Sequence, residues 1–279
     1  MQFYSAVLVV IGIVGVFAIE SGVHQLPIQL IGDLEQDLRP LVVDSNQLST
    51  DGYDVYPGQF PYHARLFTER EGLGGTVLTD GSLITPNYIL TRAAGRNLTT
   101  YGYAILGIGD GSSKETQQKI NFSRNATQLH PIHDIATVRL DHPVTFTKYV
   151  QPIRLPRLSD SRTYEMMEGT NVGMSYQRPA REGPLIYLRN QIMSNDGCNK
   201  QHPYRSILSN EICTNAYVGG ALCGEVYGSG LIVEDENGST LVGVMSAIYG
   251  CDLNYPMIFY RLSEYREWIS TNSDYVFDF

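Results

Sequence analysis

Short runs of apolar and β-branched residues, separated by turn residues, dominate the chain from Tyr56 onwards. Runs of this length between glycine, proline, asparagine and aspartate are typical of β-strands. The Asp80-Gly81 pair lies between two such runs and predicts a tight hairpin turn. The candidate strands are 63–67, 76–78, 82–84, 88–90, 103–106, 137–140, 186–189, 231–233 and 241–245.

One segment, 263–271, departs from this pattern and has helical spacing. Tyr265, Trp268 and Ile269 fall on one face of such a helix. Many short strands followed by one terminal helix predict an all-β fold built as a double barrel.

The N-terminal residues differ in composition from the rest of the chain. The apolar stretch 7–17 is too short to span a membrane, and Val16 and Ala18 fit a signal-peptidase site, so 1–18 is predicted to be a signal peptide. A membrane anchor is the alternative. Residues 19–54 hold seven acidic residues against Arg39 alone, which favours an acidic pro-like segment. The alternative there is a strand pair at 28–30 and 41–43.

Charge and cysteine content narrow the class of protein. The net charge of −9 and pI near 5.1 argue against nucleic acid, heparin or an anionic membrane as partner. An even number of cysteines behind a signal peptide implies disulfides, with three connectivities possible for four cysteines. Secretion, with no membrane association after signal removal, is therefore expected. N-glycosylation sequons fit the same extracellular compartment and begin at Asn97, Asn121, Asn125 and Asn237.

Several motifs together resemble the trypsin/chymotrypsin (S1) family of serine proteases in its insect form. They are the loop 223–231, the strand entry 57–62, the segment 86–91 and the segment 133–140. The resemblance implies two six-stranded antiparallel β-barrels (chymotrypsin-like) with a C-terminal α-helix, over a domain at 55–279. It also implies the disulfides Cys198–Cys213 and Cys223–Cys251.

The resemblance places unusual residues at the catalytic positions. Ala94 stands at the general-base position and Tyr227 at the nucleophile position, while Asp134 keeps the triad aspartate. A methyl group cannot take a proton, and a phenol is a poor substitute for an activated serine. Val226 replaces the aspartate that pairs with the new N-terminus in the family, and no Ile-Val junction lies near 48–52. The prediction is a pseudoenzyme of the serine endopeptidase family, with no functional catalytic residue and no activation at that junction.

The specificity pocket is expected to be closed. Its base corresponds to Ala221, and glycines of its wall correspond to Met257 and Ile248. The alternative is that loops shift and a pocket persists. Ser246 matches the family's serine that bonds the triad aspartate, so a hydrogen bond from Ser246 to Asp134 is expected.

Other groups are weaker candidates for chemistry. His130 and His133 have an H-x-x-H spacing, but without further ligands this is a weak metal signal. Ser229 lies two residues past the nucleophile position and is expected to face elsewhere. The acidic run 234–236, which could suggest calcium, is interpreted as a hairpin turn ending in Asn237-Gly238. No metal and no cofactor are expected.

These observations predict a secreted, non-catalytic serine protease homologue that acts by binding an extracellular protein. The resemblance implies a cofactor or regulator in an extracellular proteolytic or immune cascade, or in a secreted gland fluid. One alternative is a small-ligand or structural secreted protein on the same fold. The other is a serine-type endopeptidase with a displaced mechanism.

Overall fold

The computed structural model describes residues 52–70, 75–93, 100–109, 114–174, 185–202, 205–216, 227–247 and 255–279. These residues form two antiparallel sheets and short helices, which confirms the all-β prediction. The strands are β1 (Tyr53–Asp54), β2 (His63–Arg70), β3 (Thr76–Leu83), β4 (Tyr88–Thr91), β5 (Thr100–Leu106), β6 (Gln118–Phe122), β7 (Thr127–Leu129), β8 (Ala136–Arg139), β9 (Glu168–Met174), β10 (Leu185–Met193), β11 (Glu211–Thr214), β12 (Gly230–Asp235), β13 (Gly238–Ala247) and β14 (Met257–Arg261).

The first sheet holds the strands from β2 to β8. Its seven strands pair in the order β6-β5-β2-β3-β4-β8-β7. Apolar side chains on its inner face form a core whose buried members are at most 6% exposed, among them Leu66, Leu83, Ile89 and Phe122. Burial of such side chains is the main favourable contribution to folding.

The second sheet closes on itself. Its strands pair in the order β1-β10-β11-β14-β13-β12-β9, and β9 also pairs with β10. Six strands therefore complete a ring, in agreement with the predicted six-stranded barrel, and the two-residue β1 adds a seventh strand along β10. Tyr53 pairs with Tyr187 there, so strand pairing begins inside the predicted pro-like segment.

The predicted turn at Asp80-Gly81 is wrong, because both residues lie inside β3. A Cβ atom on Gly81 would lie 2.7 Å from Cγ2 of Ile89 and 3.0 Å from the carbonyl oxygen of Leu90. Glycine is therefore needed for the close approach of β4, not for a turn.

The second predicted turn is confirmed. Strands β12 and β13 form a hairpin in which Asp235 pairs with Gly238. Gly238 has a φ of +93°, and the N–H of Asn237 donates to Oδ1 of Asp235 at 2.9 Å. A positive φ next to an aspartate-based turn explains the Asn-Gly sequence.

Two short α-helices follow strands of the second sheet. Helix α1 (Asn195–Gln201) begins after Ser194, whose Oγ accepts the N–H of Gly197 at 3.0 Å. Helix α2 (Arg266–Thr271) follows a 3₁₀ turn and buries Ile269, as the helical spacing predicts. The end of α2 contacts the first sheet, because Oγ1 of Thr137 donates to the carbonyl of Asn272 at 2.7 Å. None of the helices in the described residues is long and apolar enough to cross a membrane.

A disulfide joins Cys198 of α1 to Cys213 of β11, across a sequence separation of 15 residues. Both cysteines are fully buried. Replacing both with alanine is expected to lower the free energy of unfolding by about 3 kcal/mol, because the unfolded chain loses the constraint of a loop of this length. Urea titration followed by circular dichroism measures this change.

Replacing both cysteines with serine shows whether the result depends on the residue that replaces cysteine. This double serine variant should lose at least as much stability as the double alanine variant. An unchanged urea midpoint in both variants would contradict the expectation.

Candidate active site

Arg92 connects two residues that the sequence analysis placed at catalytic positions. It directly follows β4, and its Nε donates to the carboxylate of Asp134. The guanidinium carbon lies 4.4 Å from the ring centroid of Tyr227, within the range of a cation–π contact. The side chains of Arg92 and Asp134 are 22% and 28% exposed. We call Arg92, Asp134 and Tyr227 the Arg92 cluster.

Asp134 is held by its backbone as well as by its carboxylate. It lies in the loop between β7 and β8, and its N–H donates to Oη of Tyr260 at 3.2 Å. Burial is the main cause that raises the pKa of Tyr260, so this phenol is neutral at physiological pH. Asp134, at the family's triad-aspartate position, therefore contacts two groups: the permanently charged guanidinium of Arg92 and the neutral phenol of Tyr260.

Tyr227 lies on a turn that is bound to both sheets. Its carbonyl accepts the N–H of Asp80 at 3.0 Å, and the N–H of Gly228 donates to the carbonyl of Met245 at 3.2 Å. Gly228 has a φ of +89°, and a Cβ atom there would lie 2.3 Å from the carbonyl oxygen of Asp80. Only glycine fits this backbone, so the position of the Tyr227 ring depends on it.

Ser229 faces away from the Arg92 cluster, as expected from the sequence. It is fully buried, and its Oγ accepts a hydrogen bond from Nδ2 of Asn171 at 2.9 Å. The same amide donates to the carbonyl of Gly230 at 2.8 Å. Ser229 therefore belongs to the packing between β9 and β12.

A buried group of ionisable side chains lies behind the Tyr227 turn, and the sequence analysis missed it. Oδ1 of Asp80 lies 3.3 Å from Nε2 of His63 and 3.6 Å from Nε of Arg65, and each side chain is at most 3% exposed. Arg65 and Asp80 face each other in the β2–β3 register. The available signal was a pair of opposite charges, with Arg65 inside a predicted strand and Asp80 between two other predicted strands.

The predicted hydrogen bond from Ser246 to Asp134 is wrong. Oγ of Ser246 donates to the carbonyl of Ile258 at 3.2 Å, and Arg92 binds the carboxylate instead. Met257 is 1% exposed and belongs to an apolar cluster of the second sheet against which Tyr227 packs.

Several predicted site residues lie outside the described residues: Ala94, Asn97, Ala221, Cys223, Ile248 and Cys251. The other three sequon asparagines, Asn121, Asn125 and Asn237, are exposed. Within the described ranges, no group of three or more histidine, cysteine, aspartate or glutamate side chains could hold a metal ion.

Comparison with known proteins agrees with this fold. The family whose model matches is Trypsin, over residues 49–269. A collagenase of Hypoderma lineatum is 28% identical over 235 residues, which cover 81% of this chain and 88% of the relative. Chymotrypsin-2 of Vespa crabro is 22% identical over 221 residues, which cover 79% and 98%. A solved structure of "HL collagenase" superposes with a TM-score of 0.69 at 29% identity, covering 81% of this chain and 99% of that one.

Two β-barrel-like sheets with a short C-terminal helix define a protein of the chymotrypsin-like fold. The chain belongs to the trypsin family. The prediction that it is not an enzyme is contradicted, because relatives that match about four fifths of the chain are named as proteases, a collagenase and a chymotrypsin. Ala94 and Tyr227, on which that prediction rested, do not by themselves show inactivity.

The buried charges behind Tyr227 lead to a stability prediction. Replacing Asp80 with asparagine keeps the shape but leaves the Arg65 guanidinium buried without the carboxylate. The free energy of unfolding is expected to fall by about 3–5 kcal/mol, the usual cost of removing one partner of a buried ion pair. Chemical denaturation at neutral pH measures it.

Glu236→Gln is the matched control, because Glu236 is exposed. Its effect should stay within about 0.5 kcal/mol. If Asp80→Asn were as stable as this control, the buried carboxylate would have no stabilising role.

Proposed function

We propose that this chain is a secreted protein of the trypsin family that acts by binding an extracellular protein partner at the Arg92 cluster. The observation that carries the proposal is Arg92 itself. Its guanidinium contacts both the Asp134 carboxylate and the Tyr227 ring, which stand at the family's triad-aspartate and nucleophile positions.

The composition of this cluster favours protein recognition. Tyrosine and arginine are enriched among the residues that dominate binding energy at protein interfaces. Tyr227 is partly exposed, and its backbone is bound to the strands behind it. A partly exposed ring on a fixed backbone loses little conformational entropy when a partner binds.

Binding of a polypeptide is common to proteases and to the proteins that regulate them. The proposal therefore does not depend on whether cleavage follows binding. The resemblance to insect members of the family favours a partner in an extracellular proteolytic cascade or a gland fluid. The net charge of −9 favours a protein over nucleic acid or an anionic membrane.

Photo-crosslinking from the site tests this proposal. The chain is produced with p-benzoylphenylalanine in place of Tyr227 and exposed to the extracellular fluid of its source. We expect a discrete crosslinked protein that is absent when the same group replaces the exposed Arg157. Identical crosslinked species from both positions would contradict the proposed site.

Affinity for the crosslinked protein provides the quantitative test. Arg92→Ala is expected to raise the dissociation constant at least about tenfold, or about 1.4 kcal/mol. The reason is that the Arg92 side chain contacts the partner itself and also holds the Tyr227 ring in place. Arg157→Ala is the matched control and should bind as the unmodified chain does. Biolayer interferometry measures both, and equal affinity of the Arg92→Ala variant and the control would reject the role of Arg92.

A second candidate function is that of a serine-type endopeptidase, favoured by relatives named collagenase and chymotrypsin. With Ala94 and Tyr227 at the family's base and nucleophile positions, cleavage needs a displaced mechanism. Labelling by a fluorophosphonate probe, together with hydrolysis of casein or gelatin, supports this function, and peptide mapping then identifies the nucleophile. Absence of both labelling and hydrolysis rejects it.

A further inference from the structure

The loop between β7 and β8 carries two stacked histidines directly before Asp134. The rings of His130 and His133 have centroids 4.9 Å apart and planes inclined by 25°. Nδ1 of His130 accepts the backbone N–H groups of Ile132, at 3.2 Å, and of His133, at 3.0 Å. One ring nitrogen therefore satisfies two donors of the same loop.

The two histidine rings are surrounded by aromatic side chains and by the side-chain amide of one asparagine. His130 makes edge contacts with Tyr265 and Trp268, with centroid distances of 5.4 and 5.3 Å. His133 makes an edge contact with Tyr265, and its Nε2 lies 3.2 Å from Nδ2 of Asn210. Tyr260 completes the group, with its ring centroid 6.0 Å from that of His133.

The nearby charged groups are either paired with other groups or exposed to solvent. Arg92 binds the carboxylate of Asp134. On the C-terminal element, Arg266 donates to the carbonyls of Pro156, Ser263 and Asp160. The negative charge of Glu264, on the preceding turn, favours the protonated forms of Tyr265 and Arg261. Glu267, also on α2, is exposed, and Glu211, whose charge acts on Tyr260 and Tyr265, is paired with Arg205.

This geometry holds His130 in its neutral form. A proton on Nδ1 would replace the acceptor with a donor facing two N–H groups, so both hydrogen bonds of the loop would be lost. The like charge of a protonated His133 would add repulsion across the stack. Burial first, and then His133, lower the pKa of His130 in agreement with this geometry.

We propose that the His130–His133 stack is an acid-sensitive latch, which keeps the loop that carries Asp134 closed at neutral pH and opens it when His130 is protonated. Opening removes the two hydrogen bonds to Ile132 and His133 and loosens the residue next to them, Asp134. The contact of Asp134 with Arg92 weakens as a result. This inference does not rest on the proposed binding function.

The direction of the pH dependence follows from the lowered pKa of His130. The unfolded chain binds the proton below its ordinary value of about 6.5, whereas the folded loop binds it only at lower pH. The stability that the latch contributes is complete above about pH 6.5. It is lost as the pH falls from there through the lower pKa of the folded state.

The chain offers a direct reporter, because Trp268 is the single tryptophan of the sequence and contacts His130. Its emission is measured on the full chain from pH 8 to pH 5. We expect a change that follows a one-proton titration curve with a midpoint below about pH 6.5, absent from the His130→Gln variant. His142→Gln is the matched control, because His142 is exposed and its ring contacts the carbonyl of the neighbouring Pro143. The emission of this variant should change with pH as that of the unmodified chain does.

A second variant distinguishes the latch from a merely structural role. His133→Gln removes the like charge across the stack, so the midpoint should move to higher pH instead of disappearing. Circular dichroism at pH 8 checks that each variant is folded before titration. The proposal is overturned if the emission of the unmodified chain is constant over this range, or if His130→Gln titrates with an unchanged midpoint.

Discussion

The candidate site depends on one buried residue, Asp80. Its backbone N–H donates to the carbonyl of Tyr227, and its own carbonyl accepts the hydroxyl of Thr91 at 2.6 Å. Its carboxylate lies against His63 and Arg65, where none of the three side chains is more than 3% exposed. A buried charge is tolerated only with partners of this kind. The strand that supplies Asp80 therefore fixes the nucleophile-position turn, and the charges behind it fix the strand.

Arg92 gives the site its chemical character. A guanidinium keeps its charge at any physiological pH, so it can neutralise Asp134 and cover the Tyr227 ring but cannot accept a proton. A hydrolytic mechanism in this chain would draw its base from another group. Polypeptide recognition needs no such base, and it makes direct use of a planar cation stacked on an aromatic ring.

Local sequence patterns predicted those features that local interactions determine. The Asn237-Gly238 hairpin and the terminal helix follow from turn chemistry and from apolar spacing, and both are present. Asp80-Gly81 carries an equally good turn signal, but packing of Ile89 against Gly81 overrides it. The candidate strands lacked β1, β6, β7, β9, β11 and β14. Three of these, β6, β7 and β9, were missed because their sequences, such as Gln118–Phe122, are rich in polar residues.

The site was harder to predict, because its contacts join distant parts of the chain. Family motifs assigned Asp134 and Tyr227 to the triad-aspartate and nucleophile positions, but they did not single out Arg92, which contacts both side chains. Its bond to Asp134 spans 42 residues, and it displaces the hydrogen bond expected from Ser246. No local pattern identifies such a pairing. The same limit applies to activity, since residue types at a few positions do not outweigh relatives named as proteases.

The two ends of the Arg92 cluster are held by different kinds of interaction. The Tyr227 turn is held by backbone hydrogen bonds, from Asp80 to Tyr227 and from Gly228 to Met245, and backbone amides do not titrate. Asp134 lies in a loop that is closed by two hydrogen bonds to a neutral imidazole at His130. In the proposed latch, acid releases the Asp134 carboxylate from its closed loop, while the Tyr227 turn keeps its backbone hydrogen bonds. Arg92 would then keep its stacking partner and lose its ion pair, so its charge would become available to a ligand as the pH falls.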